Sequence, residues 1–552
     1  MTAEQVSESV RARIGDALLE CTPAGERRLY LTIEPHALAD ATDELCGNLN
    51  ARFVVNSATD QREQADRFLL SYFFALDEDD GYIALHTAVP EEEATVASIT
   101  PTVPGANWSE REMYDLMGVS AQGHPDPRRL VVPDDWPDGV YPLRCDFEAS
   151  GKPEPAEDRA VPMKQPPEGS TVVPIGPYFP TQKEPASFRI FVDGETVVGS
   201  DYRGFYNHRG VEKLGCSELT YNQIPFIAER ICGICGFVHS TVYCQAVEEA
   251  AQIEVPRRAR YIRTILLELE RMESHMLWTG VAGHIISFDT ILMQTWRMRE
   301  PLMWLCERLT GNRKTYGMNL VGGVRRDIPE TAHEDILGVV GEIEREWRML
   351  LSAIEGDSTL MARLKDVGHL ARAEAIVRCA VGPTARGSGL AIDARVDHPY
   401  AAYDELHVDK CVESGCDNLA RVMVRLREVL VAIDVIREAL ETMPAGPVQA
   451  EIDEEIPAGR EGMSAVEAPR GEVFHWVLTG QDNRPERWRV RAPTYANLQS
   501  VPPMIAGDTL ADVPIGIGSF DPCFSCTERM AVVDTRDGSV REMTREEIMR
   551  RD

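Results

Sequence analysis

Four cysteines in two short words carry the strongest chemical signal in this 552-residue chain. The first word is Arg230-Ile231-Cys232-Gly233-Ile234-Cys235-Gly236-Phe237-Val238-His239, and the second is Asp521-Pro522-Cys523-Phe524-Ser525-Cys526-Thr527-Glu528-Arg529. Each is a Cys-x-x-Cys, a spacing that lets two thiolates converge on one metal while the backbone turns beneath them. Four soft sulfur ligands select zinc, iron-sulfur, copper(I) or nickel-iron chemistry over magnesium or calcium. On spacing alone, structural zinc and a redox metal stay open as alternatives. Zinc-ribbon pairs, however, lie roughly 15–20 residues apart, whereas half the chain separates these two, too much for a self-contained zinc module.

The composition narrows the setting. Lys plus Arg number 57 and Asp plus Glu 89, a formal charge of −32, which disfavours nucleic acid and anionic lipid as direct partners. No charge-free apolar run reaches the roughly 18 residues of a membrane span. Residues 1–13 lack the basic-then-apolar pattern of a signal peptide, so the chain is expected in the cytoplasm. Nine cysteines lie outside the two words and read as small buried apolar residues. Among them, Cys411 and Cys416 form a candidate second metal pair that lacks a matching partner pair.

The elements that must position the cysteines can be read in order. Residues 1–147 form a compact α+β domain, with an amphipathic opening at Val6–Leu19 and strands at Arg28–Ile33, Phe68–Phe74 and Tyr82–His86. Residues 148–170, rich in Pro, Glu, Lys and Gly, cannot bury enough apolar area to offset their ordering entropy and read as an extended linker. Val172–Pro180 and Phe188–Val198 are strands, the latter turning at Asp193-Gly194. The middle is helical. Pro256–Trp278 repeats Ile262, Ile265, Leu266, Leu269, Met272 and Met276 at three and four, and Asn418–Thr442 repeats Leu419, Val422, Leu426, Val429, Ile433 and Leu440 before Pro444. Each predicts one buried stripe with charged residues facing solvent. The expected fold is an α+β amino-terminal domain followed by a mainly α domain, a helical bundle core with small peripheral sheets.

The words around the cysteines resemble the two nickel-binding motifs of the nickel-iron hydrogenase large subunit. The continuation Ser525-Cys526-Thr527-Glu528-Arg529-Met530 is most similar to the energy-converting, membrane-associated group 4, of formate hydrogenlyase type. Upstream, Asn107–Gly118, Gly123–Leu130 and Asp134–Arg144 resemble, in order, the 30-kilodalton subunit of respiratory complex I, a scaffold without a cofactor. Trp108 and His124 within them are therefore expected at packing or interface positions. Tyr206–Leu214 resembles the opening of both the hydrogenase large subunit and the related 49-kilodalton subunit of complex I. The implied domains are 1–147, a linker at 148–170, the large-subunit domain at 171–529 and a maturation peptide at 530–552.

The resemblance also implies roles. Cys232 and Cys523 would be terminal nickel ligands, while Cys235 and Cys526 would bridge nickel to an iron carrying cyanide and carbon monoxide. His239 would hydrogen-bond a bridging sulfur, a role that tunes the metal's electron density. Arg470, in Glu467-Ala468-Pro469-Arg470-Gly471-Glu472, would hold a fixed charge over the open metal position. Glu184, otherwise a surface carboxylate, aligns with the family's proton-relay glutamate. A maturation endopeptidase would cut between Arg529 and Met530 once nickel is in place.

No other cysteine set looks like an iron-sulfur site, so electrons would enter through an iron-sulfur small subunit. Membrane antiporter-like subunits and a formate or carbon monoxide dehydrogenase module complete the implied complex, which would hold the chain at the cytoplasmic face of a membrane. The competing reading is a quinone-reducing or non-catalytic subunit of a complex I relative. Such subunits lack the four cysteines and carry a histidine where this chain has Phe179. A zinc-stabilised scaffold fits only the bare cysteine spacing.

Overall fold

Alternation decides the amino-terminal domain. In Arg28–Ile33 the residues Leu29, Leu31 and Ile33 are buried between half-exposed neighbours, the period of a strand with one packed face. This strand joins a five-stranded sheet in the order Leu18–Ala24, Arg28–Ile33, Gly81–Pro90, Arg67–Leu76, Arg52–Gln61. All neighbours are antiparallel except Arg28–Ile33 beside Gly81–Pro90. The computed structural model describes residues 1–25, 27–148, 153–156, 162–176, 186–206, 208–452, 455–524, 528–529, 532–533 and 540–541. Expectations for Phe179, Glu184, Cys526 and Met530 lie outside the described residues.

The opening segment differs from its expected form. Its helix spans Ala3–Ile14 and ends at Gly15, and Leu18 already belongs to the first strand. The reason is that Val6 and Val10 complete the apolar face, while Leu18 is needed by the sheet core. Beyond this domain, residues 153–156 and 162–170 form neither helix nor strand. They lie along the protein surface, where the Lys164 N–H donates to Asp201 at 3.0 Å. Thr171–Ile175, Ser187–Asp193 and Thr196–Arg203 then form a three-stranded antiparallel sheet.

Five long helices, Gly236–Ala251, Arg257–Ile285, Asp289–Thr310, His333–Gly356 and Asn418–Thr442, surround the largest core. The apolar stripes are where their spacing places them, but much of the charged faces is not in solvent. Arg263, Glu268, Glu270, Arg271, Glu273 and His275 of one helix and Arg421, Arg425 and Glu428 of another are all buried. Most are retained by ion pairs, Arg263 binding Glu248 at 2.6 and 2.9 Å and His275 meeting Glu428 at 2.9 Å, while Arg421 and Arg425 donate to neutral oxygens, those of Ser519 and of the Arg421 carbonyl among them. A buried charge survives only with such partners.

A third antiparallel sheet, Glu461–Ala468, Gly471–Thr479 and Pro485–Arg491, is not peripheral as expected. Every residue of Gly471–Thr479 is buried. One face of this sheet meets the amino-terminal sheet, packing Met463, Phe474 and Trp476 against Val55, Phe73, Ala75 and Tyr82. The Phe73 ring lies 5.2 Å from Phe474 and 5.4 Å from Trp476. The expected interface role of Trp108 holds, since its ring packs on Tyr202, Phe205 and Tyr495. His124 is held locally by the Asn107 carbonyl and the Asp126 N–H.

A charged clamp joins the two sheets. Arg52 donates to both Glu472 oxygens at 3.0 and 2.9 Å, and the Tyr82 hydroxyl adds a third bond at 3.0 Å. Burial alone would raise the Glu472 carboxyl, but Arg52 and Arg491 outweigh it and hold it down at about 2. Against an ordinary value of 4.5, the clamp therefore contributes in full above about pH 4.5 and is lost as pH falls towards 2. The shift corresponds to about 3 kcal/mol. Glu472→Gln is expected to lower stability to urea by that amount at pH 7, with the gap to the wild-type chain narrowing below about pH 4.5. A gap that does not change with pH contradicts this assignment.

Candidate metal centre

The two cysteine words meet inside the core. Cys232 Sγ lies 3.1 Å from Cys523 Sγ, and Cys232, Cys235 and Cys523 are all buried. The turn after Cys232 folds back on its own sulfur, which accepts the Ile234 and Cys235 N–H groups at 3.4 and 3.3 Å. Cys235 stands at the start of the helix Gly236–Ala251. The open N–H groups of that helix end are met from the neighbouring helix, where the Glu270 carboxylate accepts from Phe237 at 3.0 Å and Val238 at 3.1 Å. Glu270 thus fixes where Cys235 sits. On the other side, the Cys523 N–H donates to Thr494 Oγ1 at 3.1 Å.

These thiols suit a soft metal. The neighbouring Cys232 and burial both push the Cys235 thiol well above its ordinary range. A thiol so placed releases its proton when it binds a cation, because a metal-bound thiol is deprotonated outright. Among the described residues no group of three or more His, Cys, Asp or Glu side chains makes a metal set by itself. The fourth cysteine of the two words, Cys526, lies outside them. Every described cysteine is a free thiol, Cys411 and Cys416 included.

Arg470 occupies a two-residue hairpin turn between Ala468 and Gly471, which pair across the strands. The turn can pack tightly because Gly471, with φ of 127°, faces Gly382, and a Cβ on Gly382 would lie 2.2 Å from the Gly471 Cα. From there the guanidinium reaches the carboxyl-terminal word. Its Nε donates to the Asp521 carbonyl at 2.7 Å, its Nη2 to the Asp521 carboxylate at 3.0 Å and its Nη1 to Ser274 at 3.2 Å. Burial opposes the Arg470 charge, but Asp521 first, and the cysteine sulfurs when they are thiolates, keep it firmly protonated. Asp521 is itself in a left-handed conformation, φ 57°, two residues before Cys523.

His239 lies one turn into the helix that Cys235 begins and is fully buried. Its Nδ1 faces His475 Nε2 at 3.2 Å, and its Nε2 has no hydrogen-bond partner among the described residues. Burial lowers its pKa to about 4. Of the remaining expected residues, Arg529 is described only as backbone, in a short parallel pair with Tyr206. Sequence reasoning missed Asp521, Glu270 and His475. Asp521 stood inside the second cysteine word, whereas Glu270 and His475 carry no local signal because only the fold brings them to the site.

Known proteins are similar to this chain over nearly its whole length. Residues 31–153 match the 30 Kd subunit of the respiratory-chain NADH dehydrogenase, residues 286–463 and 452–529 match its 49 Kd subunit, and residues 209–279 match the nickel-dependent hydrogenases. The chain is 39% identical over 545 residues to formate hydrogenlyase subunit 5 of Escherichia coli (strain K12), covering 97% of this chain and 96% of that one. The chain belongs to the group 4 nickel-iron hydrogenase large subunits. This large subunit is also 40% identical to the membrane-bound hydrogenase subunit alpha of Pyrococcus furiosus over 68% of its own length and 91% of that relative. It is more distant, 32% identical over 77% of its length and 85% of the relative, from an NADH-quinone oxidoreductase chain of Phocaeicola vulgatus. Among solved structures, a chain of the archaeal membrane-bound sulfane sulfur reductase matches 66% of it and 100% of that chain, with a TM-score of 0.62 and 28% identity. No helix among the described residues is long and apolar enough to cross a membrane.

Proposed function

We propose that Cys232, Cys235, Cys523 and Cys526 hold the nickel-iron centre of this hydrogenase, with Cys232 and Cys523 terminal on nickel and Cys235 and Cys526 bridging to an iron with cyanide and carbon monoxide ligands. The observation that carries the proposal is the 3.1 Å approach of two buried sulfurs from cysteine words half a chain apart. Such a centre supplies the open coordination position and the redox chemistry that interconvert two protons and two electrons with dihydrogen. The chain supplies the rest. Glu270 and Thr494 fix the backbone on which Cys235 and Cys523 stand, and Arg470 keeps a positive charge beside the thiolates. His239 would offer its Nε2 to a sulfur of the centre, and Glu184 is the proposed proton carrier between it and solvent.

In this reading the unit spanning 171–529 carries the chemistry and residues 1–147 brace it, through the sheet contact behind Arg470. Electrons come from an iron-sulfur small subunit, in the direction of hydrogen evolution, with formate or carbon monoxide oxidation as their source. Antiporter-like membrane subunits hold the complex at the cytoplasmic face of the membrane. A maturation endopeptidase removes residues 530–552 after nickel insertion.

The order of these last events can be tested by intact mass. In cells supplied with nickel the chain is expected to end at Arg529, and in nickel-starved cells at Asp552. A chain that keeps its tail in active, nickel-loaded complex contradicts the maturation reading.

A further inference from the structure

The sheet behind the thiols carries more than Arg470. His475 sits on the strand that follows the Arg470 turn, Gly471–Thr479, and Trp488 on the next, Pro485–Arg491. Trp488 Nε1 donates to His475 Nδ1 at 3.2 Å, and His475 Nε2 lies 3.2 Å from His239 Nδ1. The Trp488 and His475 rings meet edge to face at 5.6 Å, and those of His475 and His239 lie 5.4 Å apart. All three side chains are completely buried.

Hydrogen-bond roles in this row are forced from one end. An indole N–H is only ever a donor, so His475 Nδ1 must offer a lone pair. A protonated His475 would set two donors against each other there, and the ring is therefore neutral with its proton on Nε2. That proton points at His239 Nδ1, which must accept. His239 is then neutral too, and its one proton is on Nε2, the buried nitrogen without a partner among the described residues.

We infer that Trp488 and His475 are positioning residues that lock His239 as the Nε2–H tautomer, so that a fixed hydrogen-bond donor is presented to the sulfur ligands of the metal centre. The inference rests on the proposed nickel-iron reading for the donor's target, but the row itself stands without metal. Its physical value is plain. A thiolate that accepts a hydrogen bond gives less electron density to its metal, and outer partners of this kind typically change metal affinity or activity by about 10–100-fold. A histidine free to swap tautomers would present a lone pair to the sulfur part of the time and repel it. The row removes that choice with two side chains that never touch the metal.

Long-range proton–nitrogen correlation spectra of the full-length, metal-free chain labelled with 15N-histidine test this. His475→Gln and His239→Gln assign the two rings. Both rings are expected as neutral Nε2–H tautomers, and Trp488→Phe, which keeps an aromatic ring but removes the donor, is expected to abolish the single-tautomer pattern of His475 and His239. A wild-type His239 with its proton on Nδ1 overturns the inference, and needs no variant to fold. So does a Trp488→Phe chain with unchanged tautomers. In the matured complex the same variant is expected to shift the infrared bands of the iron's diatomic ligands and to lower hydrogen evolution about 10-fold. Locked tautomers in a chain that never takes up nickel would overturn the nickel-iron reading and leave the row intact, whereas normal nickel uptake with unlocked tautomers would do the reverse.

Discussion

Cys523→Ala is expected to leave a folded chain that retains no nickel and evolves no hydrogen above background. The sulfur removed is one of the pair at 3.1 Å, and loss of a direct ligand exceeds the roughly 10–100-fold cost of losing an outer partner. The fold should survive, because the carboxyl-terminal word is anchored independently by Thr494 at the Cys523 N–H and by Arg470 at Asp521. The informative control is Cys244→Ala. Cys244 is as deeply buried as Cys232 and lies on the helix that follows Cys235, but belongs to neither cysteine word. It should lose some packing energy and keep its nickel. Mass-spectrometric metal analysis beside viologen-driven hydrogen evolution reads both, and nickel retained by Cys523→Ala contradicts the ligand assignment.

The second large effect is on stability, at a residue far from the thiols in function. Arg386 is fully buried and gathers carboxylates from three elements. It binds Glu428 at 2.6 and 3.1 Å and Glu467 at 2.8 Å, and lies 3.5 Å from Asp393. Glu467 stands on the strand that leads into the Arg470 turn, so this one guanidinium ties the helix Asn418–Thr442 to the hairpin beside the metal centre. Arg386→Met takes from Glu467 its only salt-bridge partner among the described residues and from Glu428 and Asp393 one of several, at a cost of about 3–5 kcal/mol. Arg348→Met, which breaks only an exposed pair with Glu344, should change stability by less than about 1 kcal/mol. Urea unfolding of the two variants is expected to separate them clearly; equal midpoints would show that the buried network contributes nothing.

Much of this arrangement was legible in the residues, and the exceptions share a cause. The helix Asn418–Thr442 was readable to its ends, because Asp417 caps it and Pro444 follows it. The helix expected to end at Trp278 continues to Ile285 through Gly280 and Gly283, which look like breakers. There the missing side chains serve contact, since a Cβ at Gly280 would lie 2.6 Å from Thr295 and one at Gly283 2.9 Å from Ile291 of the next helix. The sheet at 461–491 gave no alternating signal, because both of its faces are buried and its arginines reach across to the other domain. Arg487 and Arg489 donate to the Ala58 and Asn56 carbonyls at 3.0 and 2.9 Å.

The site divides the same way. Cysteine spacing and the Arg470 turn are local words, and a sequence shows them. Glu270, His475 and Trp488 act through partners 13 to 236 positions away, and only packing reveals them. The charges on the long helices were misjudged for a related reason. Periodicity reports which face is apolar, and it does not report whether the polar face finds water or a buried counter-charge.

X-ray absorption at the nickel edge of the matured complex tests the central assignment most directly. A first shell of four sulfur neighbours, with an iron scatterer behind it and a nickel content of about one per chain, is the expected result. A shell dominated by nitrogen and oxygen, or zinc in place of nickel, contradicts the assignment of Cys232, Cys235, Cys523 and Cys526 as its ligands.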